Sequence, residues 1–194
     1  LIGDAELAEQ SRRVDKQINE MELMIDEQCT TIIARRQPAA SDLRLIISVS
    51  KAVSDLERMG DEAAKICRHA IELVEEGDSP RGYQEVRHIG TLVRDMVKNV
   101  LTAFARNDTE LAYKVAKQDK SVDQEYRTAM RSLVTYMMED PRSIPKVMDV
   151  FWSVRSLERI GDRCQNISEY VIYFVKGKDV RHTSESDIEN KVLG

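Results

Sequence analysis

Two six-residue phrases in this chain, LERMGD (56–61) and LERIGD (157–162), each set a glutamate and an aspartate four positions apart: Glu57 with Asp61, and Glu158 with Asp162. On a helix, positions i and i+4 share a face, so each phrase presents two carboxylates side by side. Asp119 and Asp123 form another such pair, and Asp15 with Asn19 occupies the matching place near the start of the chain. Carboxylates gathered from two facing helices suit hard or borderline divalent cations: Mg²⁺, Mn²⁺, Ca²⁺, Fe or Zn. The competing reading is plainer. Acidic pairs are common on solvated faces, where Arg58, Arg159 and lysines would neutralise them as ion pairs.

Three features favour the cation. The pairs lie on or beside apolar stripes: Glu158 and Asp162 continue Val147, Phe151 and Val154, and Glu57 and Asp61 continue Ile46, Ser50 and Val53. A carboxylate entering a core is costly unless it is paired or bound to a cation. Asp119 and Asp123 are likewise set among Val115, Val122, Ala129 and Leu133. Finally, Gly60 and Gly161 fall inside helical patterns, where each costs roughly 0.5 to 1 kcal/mol relative to alanine. A cost taken twice at the same place predicts a close approach there.

The elements that must position these groups are helices. Residues 4–36, 41–76, 83–105, 108–139 and 143–176 carry helical apolar periods, with Ser41 as the expected N-cap of the second. The segment GDSPRG (77–82) reads as a linker. The chain repeats itself at an offset of about one hundred residues. DAELAEQSRRVDKQINEME matches DTELAYKVAKQDKSVDQEY, and LERMGDEAAKICRHAIELV matches LERIGDRCQNISEYVIYFV. The organisation expected is all-α: a first repeat over 1–78, a second over 83–177, and a polar tail over 178–194, with little order after Gly177. The second repeat has three helices and the first only two. The counterpart of 83–105 is therefore expected just before Leu1. Its absence would leave an apolar groove that another chain covers, so a dimer is expected.

Composition narrows the function. A net charge of −5 with no basic stripe argues against nucleic acid as partner. Cys29, Cys67 and Cys164 form no CxxC pair, which fits a reducing cytoplasm without disulfides. No apolar run reaches the roughly 18 to 20 residues of a membrane span, and no signal-peptide pattern is present. A ferritin-like di-metal bundle would need two Glu-x-x-His motifs. One occurs, Glu85 with His88, and it has no second copy. No phosphate loop, nucleophile elbow or Ser/His/Asp order is found, so no catalytic residue is assigned.

The repeated LERMGD and LERIGD, with RRQPAASDLRLI (35–46), DRCQNI (162–167), VDQEY (122–126), SLVTYMMED and FVKGKDVRH, resemble the PhoU family of phosphate-uptake regulators across about 4–193. The resemblance implies a pair of three-helix bundles related by a pseudo-twofold axis, the first lacking its N-terminal helix in this chain. It implies metal sites at Glu57, Asp61, Asp15 and Asn19 in the first bundle, and at Glu158, Asp162, Asp119 and Asp123 in the second. Asn19 departs from the acidic pattern, which makes the first site poorer in charge. Asn166 fits a further ligand or a supporting amide, whereas its counterpart Lys65 does not. The function implied is non-enzymatic: a cytoplasmic, often dimeric adaptor. It would link a phosphate ABC transporter, through its ATPase subunit, to a phosphate-sensing histidine kinase. It would meet the membrane only peripherally, through these partners, and repress the starvation response when phosphate is plentiful. The alternative kept beside it is a metal-dependent enzyme that uses the same carboxylate clusters.

Overall fold

The computed structural model describes residues 5–75, 82–181 and 183, with the backbone alone for 5–12, 15, 74 and 75. The described residues form five α-helices and a short 3₁₀ turn: α1 (Ala5–Arg36), α2 (Ala40–Glu75), α3 (Tyr83–Arg106), α4 (Thr109–Glu139) and α5 (Ile144–Lys176), with the turn at Pro141–Ser143 before α5. The protein is a helical bundle, as expected, and the helix limits fall close to those read from periodicity. Ser41 is a correction. Helix α2 starts at Ala40, and the Leu43 N–H already bonds the Ala39 carbonyl at 2.8 Å. Ser41 thus lies inside the first turn, past the capping position. Pro38 disfavours the right-handed helical conformation for Gln37, which sits at φ 45°, so α1 ends there and the chain re-enters a helix at Ala40.

The joint between α3 and α4 follows from its residues. Asn107 takes a left-handed conformation, φ 55°, and returns its N–H to the end of α3. Asparagine tolerates that conformation better than most residues. Asp108 then caps α4, its Oδ1 accepting from the Leu111 N–H at 2.9 Å. Gly82, at φ 96°, opens α3 where a Cβ would lie 2.5 Å from Leu133 Cδ2.

α5 is the central element. It packs against α2, α3 and α4, whereas among the described helices α1 packs against α2 alone. The core follows this hierarchy. Val147, Val150, Val154, Cys164 and Ile167 of α5 are buried together with Val86, Ile89, Val93 and Met96 of α3, Val115, Val122 and Leu133 of α4, and Ala52 and Met59 of α2. By contrast α1 leaves Met21, Leu23, Met24, Ile32 and Ile33 exposed. A second cluster joins Ala103, Ala112, Tyr113, Val171, Ile172 and Phe174 to Val180. Val180 is 1% exposed, so the expected disorder after Gly177 does not begin there. One valine finds an apolar cleft at the end of the bundle, and its burial ties the following turn down. The rest of the expected tail, 184–194, lies outside the described residues. All three cysteines are free thiols. Among the described residues, no helix is long and apolar enough to cross a membrane.

α2 and α5 are antiparallel, and their register can be read from three contacts. Asp55, Glu62 and His69, seven residues apart on α2, face Arg163, Ser156 and Asp149 on α5. This register puts Met59 opposite Arg159 and Arg58 opposite Ile160. The two copies of the repeated phrase therefore cross at their own midpoint, as a twofold relation between repeats requires.

Candidate metal centre

The carboxylates of the second repeat converge where α4 meets α5. Asp119 is buried at 8% exposure, Asp123 is half-buried, and Asp162 lies at the exposed rim. Asp119, Asp123 and Asp162 each offer an oxygen within 4.8 Å of the other two. A cation with oxygen ligands at 2.0 to 2.6 Å spans separations of up to about 5 Å, so one ion can touch all three. Glu158 stands one turn before Asp162. Its Oε1 accepts from Arg155 Nη1 at 2.9 Å, and its Oε2 is buried with no hydrogen-bond partner among the described residues. Beside three gathered carboxylates, that oxygen is a free donor for a cation; Glu62 Oε2, in the interface between repeats, is buried without a partner likewise. Gly161 makes the approach possible. A Cβ there would lie 3.3 Å from Val122 Cγ1 and 3.5 Å from Asp119 Oδ1. In the second repeat, the close approach expected from the glycine is present.

Crowding of like charges is visible in the acidities. Burial pushes the Asp119 carboxyl up to about 7, and the charges of Asp162, Asp123 and Glu158 push the same way. Burial also raises Glu158 and Asp162, helped by Asp162 for the first and by Asp123 for the second. The Cys164 thiol, pushed up to about 12 by burial and then by Asp119, is chemically inert. Four carboxylates in a half-desolvated site must take up protons, spread apart, or bind a cation. The donor set is all oxygen, which fits Mg²⁺, Mn²⁺ or Ca²⁺ better than a tetrahedral zinc site.

A pH dependence follows for the metal-free protein. Asp119 holds its proton more tightly when folded, near pH 7, than when unfolded, where its ordinary value is 3.8. Its contribution to stability is complete below the unfolded value and is lost as pH rises through the folded one. In EDTA, the melting temperature should therefore fall between pH 4.5 and 7.5. Asp119→Asn should flatten that fall, and added Mn²⁺ should reverse it at pH 7.5. Thermal melts followed by circular dichroism measure all three, and an equal fall in the variant would contradict the assignment.

The first repeat is placed differently. Glu57 is half-buried and Asp61 is exposed, while Asn19 Oδ1 is buried without a hydrogen-bond partner among the described residues. The Asp15 side chain lies outside the described residues. Asn166 is half-buried one turn beyond Asp162 on α5. The isolated Glu-x-x-His motif does not act as a unit: Glu85 accepts from the Tyr136 hydroxyl at 3.2 Å, while His88 faces Glu125 at 3.6 Å.

The arginines within the phrases serve a part of the structure that the sequence did not disclose. Arg159 reaches across to bond Glu62 of the first repeat, at 3.1 Å, while its charge still offsets part of the rise at Glu158 and Asp162. Arg163 bonds Asp55 at 3.3 Å, and Tyr170 donates its hydroxyl to Asp55 at 3.0 Å. Lys65 adds a bond to Glu62 at 2.8 Å. The interface between repeats is thus a polar seam. Burial alone would raise Glu62, but bonds from Lys65, Ser156 and Arg159 more than offset it and hold its carboxyl below the ordinary range. Burial and Asp55 together push the Tyr170 hydroxyl up to about 12. The signal available in the sequence was the seven-residue spacing of Asp55, Glu62 and His69.

Comparison with known proteins places the chain in a family. The family model described as the PhoU domain matches residues 1–70 and 86–171. The chain belongs to the PhoU family. A PhoU relative from Pseudomonas putida, named a phosphate-specific transport system accessory protein PhoU homolog, is 64% identical over 192 residues, which is 99% of this chain and 75% of the relative. The Escherichia coli K12 accessory protein PhoU is 47% identical over 191 residues, 98% of this chain and 79% of the relative. The crystal structure of PhoU from Pseudomonas aeruginosa superposes with a TM-score of 0.89 at 64% identity, covering 91% of this chain and 84% of that one. The phosphate transport system regulatory protein PhoU from Streptococcus pneumoniae superposes with a TM-score of 0.82 at 31% identity, covering 92% of this chain and 83% of that one.

Proposed function

We propose that this PhoU-family chain regulates phosphate uptake as a metal-binding adaptor without catalysis of its own. The observation that carries the metal half is the convergence of Asp119, Asp123 and Asp162 beside the orphaned Glu158 oxygen. The phosphate half rests on the relatives, which are named as accessory or regulatory proteins of phosphate transport and not as enzymes. In this reading the protein contacts the ATPase subunit of a phosphate ABC transporter and a phosphate-sensing histidine kinase. It works on the cytoplasmic face, reaches the membrane through those partners, and restrains starvation signalling when phosphate is plentiful. A divalent cation between α4 and α5 would remove the repulsion among four carboxylates and lock the two helices together. Such a cation is structural or sensory, and no reaction is assigned to it. The apolar residues left exposed on α1 support the homodimer reading, because a face of that kind is commonly covered by another chain.

Two tagged proteins provide the test. A pull-down with divalent cation present should recover the transporter ATPase, the sensor kinase, or both, and light scattering should show a dimer. Failure to retain either partner across Mg²⁺, Mn²⁺ and Zn²⁺ would overturn the adaptor reading. A monomer at high concentration would overturn the dimer.

A further inference from the structure

We infer that the outer groove between α4 and the first half of α5 is a docking site for a helix of a partner protein, one with an apolar face and an acidic flank. On α5, Ile144, Met148, Trp152, Arg155 and Arg159 follow one another three or four residues apart and so share one line of the helix. Arg155 stacks over the Tyr126 ring of α4 at 5.6 Å, and Arg159 reaches Glu62 of α2, so this line runs outward between those two helices. The same contact of Arg155 with Tyr126 sets the register of α4 on α5, and the meeting of Leu133 and Val150 at Gly82 agrees with it. Stepping by turns from there brings Val134 level with Met148 and Met138 level with Ile144. Trp152 is 47% exposed and Met138 78%, the highest of the described large apolar side chains, and Val134 and Ile144 are exposed beside them.

Apolar residues exposed singly are ordinary, whereas contiguous ones mark an interaction site. The residue types agree. Tryptophan, methionine and arginine are enriched in protein interfaces, tryptophan and arginine carry most of the binding energy there, and a flexible thioether adapts to the ridge of another helix. Charge then selects the partner. Every exposed charged residue of α4 from Lys114 to Met138 is a cation: Lys114, Lys117, Lys120, Arg127 and Arg131. The acids of that stretch, Asp119, Asp123 and Glu125, are buried or half-buried, and the exposed Glu139 comes only after Met138. The α4 wall is therefore basic in a chain whose net charge is −5. On the α2 side, Glu72 and Asp149 stand at His69, so the acidic flank of the occupant belongs against α4. A helix fits the shape. From Ile144 to Arg155 the groove extends about 16 Å, some three helical turns, which takes side chains at i, i+3, i+4 and i+7. A strand would need a sheet edge, and the described residues contain no strand. The inference rests on the adaptor reading and adds where a partner sits and what it presents.

Trp152 is the only tryptophan of the chain, so its fluorescence reports cover of the groove directly. The probe is a synthetic helical peptide with leucine and phenylalanine at i, i+3, i+4 and i+7 and glutamates along one flank. It should shift the Trp152 emission to the blue, and the same peptide with lysines for glutamates should not. Arg127→Glu/Arg131→Glu should slow association and erase its salt dependence. Trp152→Ala, followed by calorimetry, should weaken binding by about thirtyfold, as loss of an aromatic anchor does, with helical content unchanged. Leu101→Glu, an exposed site on α3 outside the groove, should leave binding as it was. In the pull-down, Met138→Glu should lose the partner that the parent retains. The inference falls if both peptides or neither shifts the emission, or if Trp152→Ala binds within about twofold of the parent. It also falls if vesicles of phosphatidylglycerol shift the emission and the acidic peptide does not, which makes the groove a lipid face, or if Met138→Glu turns the dimer into a monomer, which gives the groove to a second copy. A partner held equally by the parent and by Met138→Glu sinks the groove and spares the adaptor reading. A parent that retains no partner sinks the adaptor reading, and the fluorescence titration then decides the groove alone.

Discussion

Chelation should lower the melting temperature of this protein by about 5 to 10 °C at neutral pH. A ligand that binds only the folded state stabilises it by RT ln(1 + [L]/Kd), about 2.7 kcal/mol with metal at one hundred times its Kd. For a chain of this size each kcal/mol moves the melting temperature by about 2 to 4 °C. The loss should map onto α4 and α5, because Asp119, Asp123, Asp162 and Glu158 are the groups left repelling one another. Asp123→Asn/Asp162→Asn should abolish the response. In EDTA that double variant should melt above the parent, since two mutually repelling charges have gone. Differential scanning calorimetry with Mn²⁺ and with EDTA measures both effects. Identical melts for the parent under the two conditions would reduce the carboxylates to ion-pair partners.

The second large effect belongs to the seam. Asp55 is buried, with 4% of its side chain exposed, and Arg163 is the arginine closest to it, at 3.3 Å. Arg58 stands at 4.0 Å and is itself 57% exposed. Arg163→Met should cost about 3 kcal/mol, because it leaves a buried carboxylate with only the Tyr170 hydroxyl and a distant arginine. Asp55→Leu combined with Arg163→Met should recover most of that loss, since an apolar pair of similar volume commonly replaces a buried ion pair without net cost. Urea unfolding of the two single variants and the double variant gives the coupling energy. If the single losses simply add, Asp55 and Arg163 do not act as a pair.

The bundle was legible because helix periodicity is a local property. Stripes such as Val86, Ile89, Val93 and Met96 bury themselves in the fold as their spacing required. Half of the site was legible for a related reason: a carboxylate on an apolar stripe carries a cost that needs a compensating partner. The glycine in LERIGD was informative for the same reason, and Val122 and Asp119 do stand where its side chain would have been. The side-chain destinations were not legible. An arginine can reach several ångströms in any direction, so nothing local told that the hydrogen bond of Arg159 would go across to Glu62. His69 and Asp149 are 80 residues apart and are brought together only by the antiparallel register of α2 on α5. Val180 was hidden in a polar segment because a single apolar residue has no period. Ser41 shows that a good capping residue does not set a helix start when the chain can turn in two residues earlier, directly after Pro38.

Soaking crystals of this protein with Mn²⁺ and collecting at a wavelength where manganese scatters anomalously tests the central claim most directly. The account predicts an anomalous peak between α4 and α5, within bonding distance of oxygens from Asp119, Asp123 and Asp162, with the free oxygen of Glu158 turned toward it. A map without a peak at that place, in crystals where Mn²⁺ is at millimolar concentration and Asp162 is paired with an arginine, would contradict it.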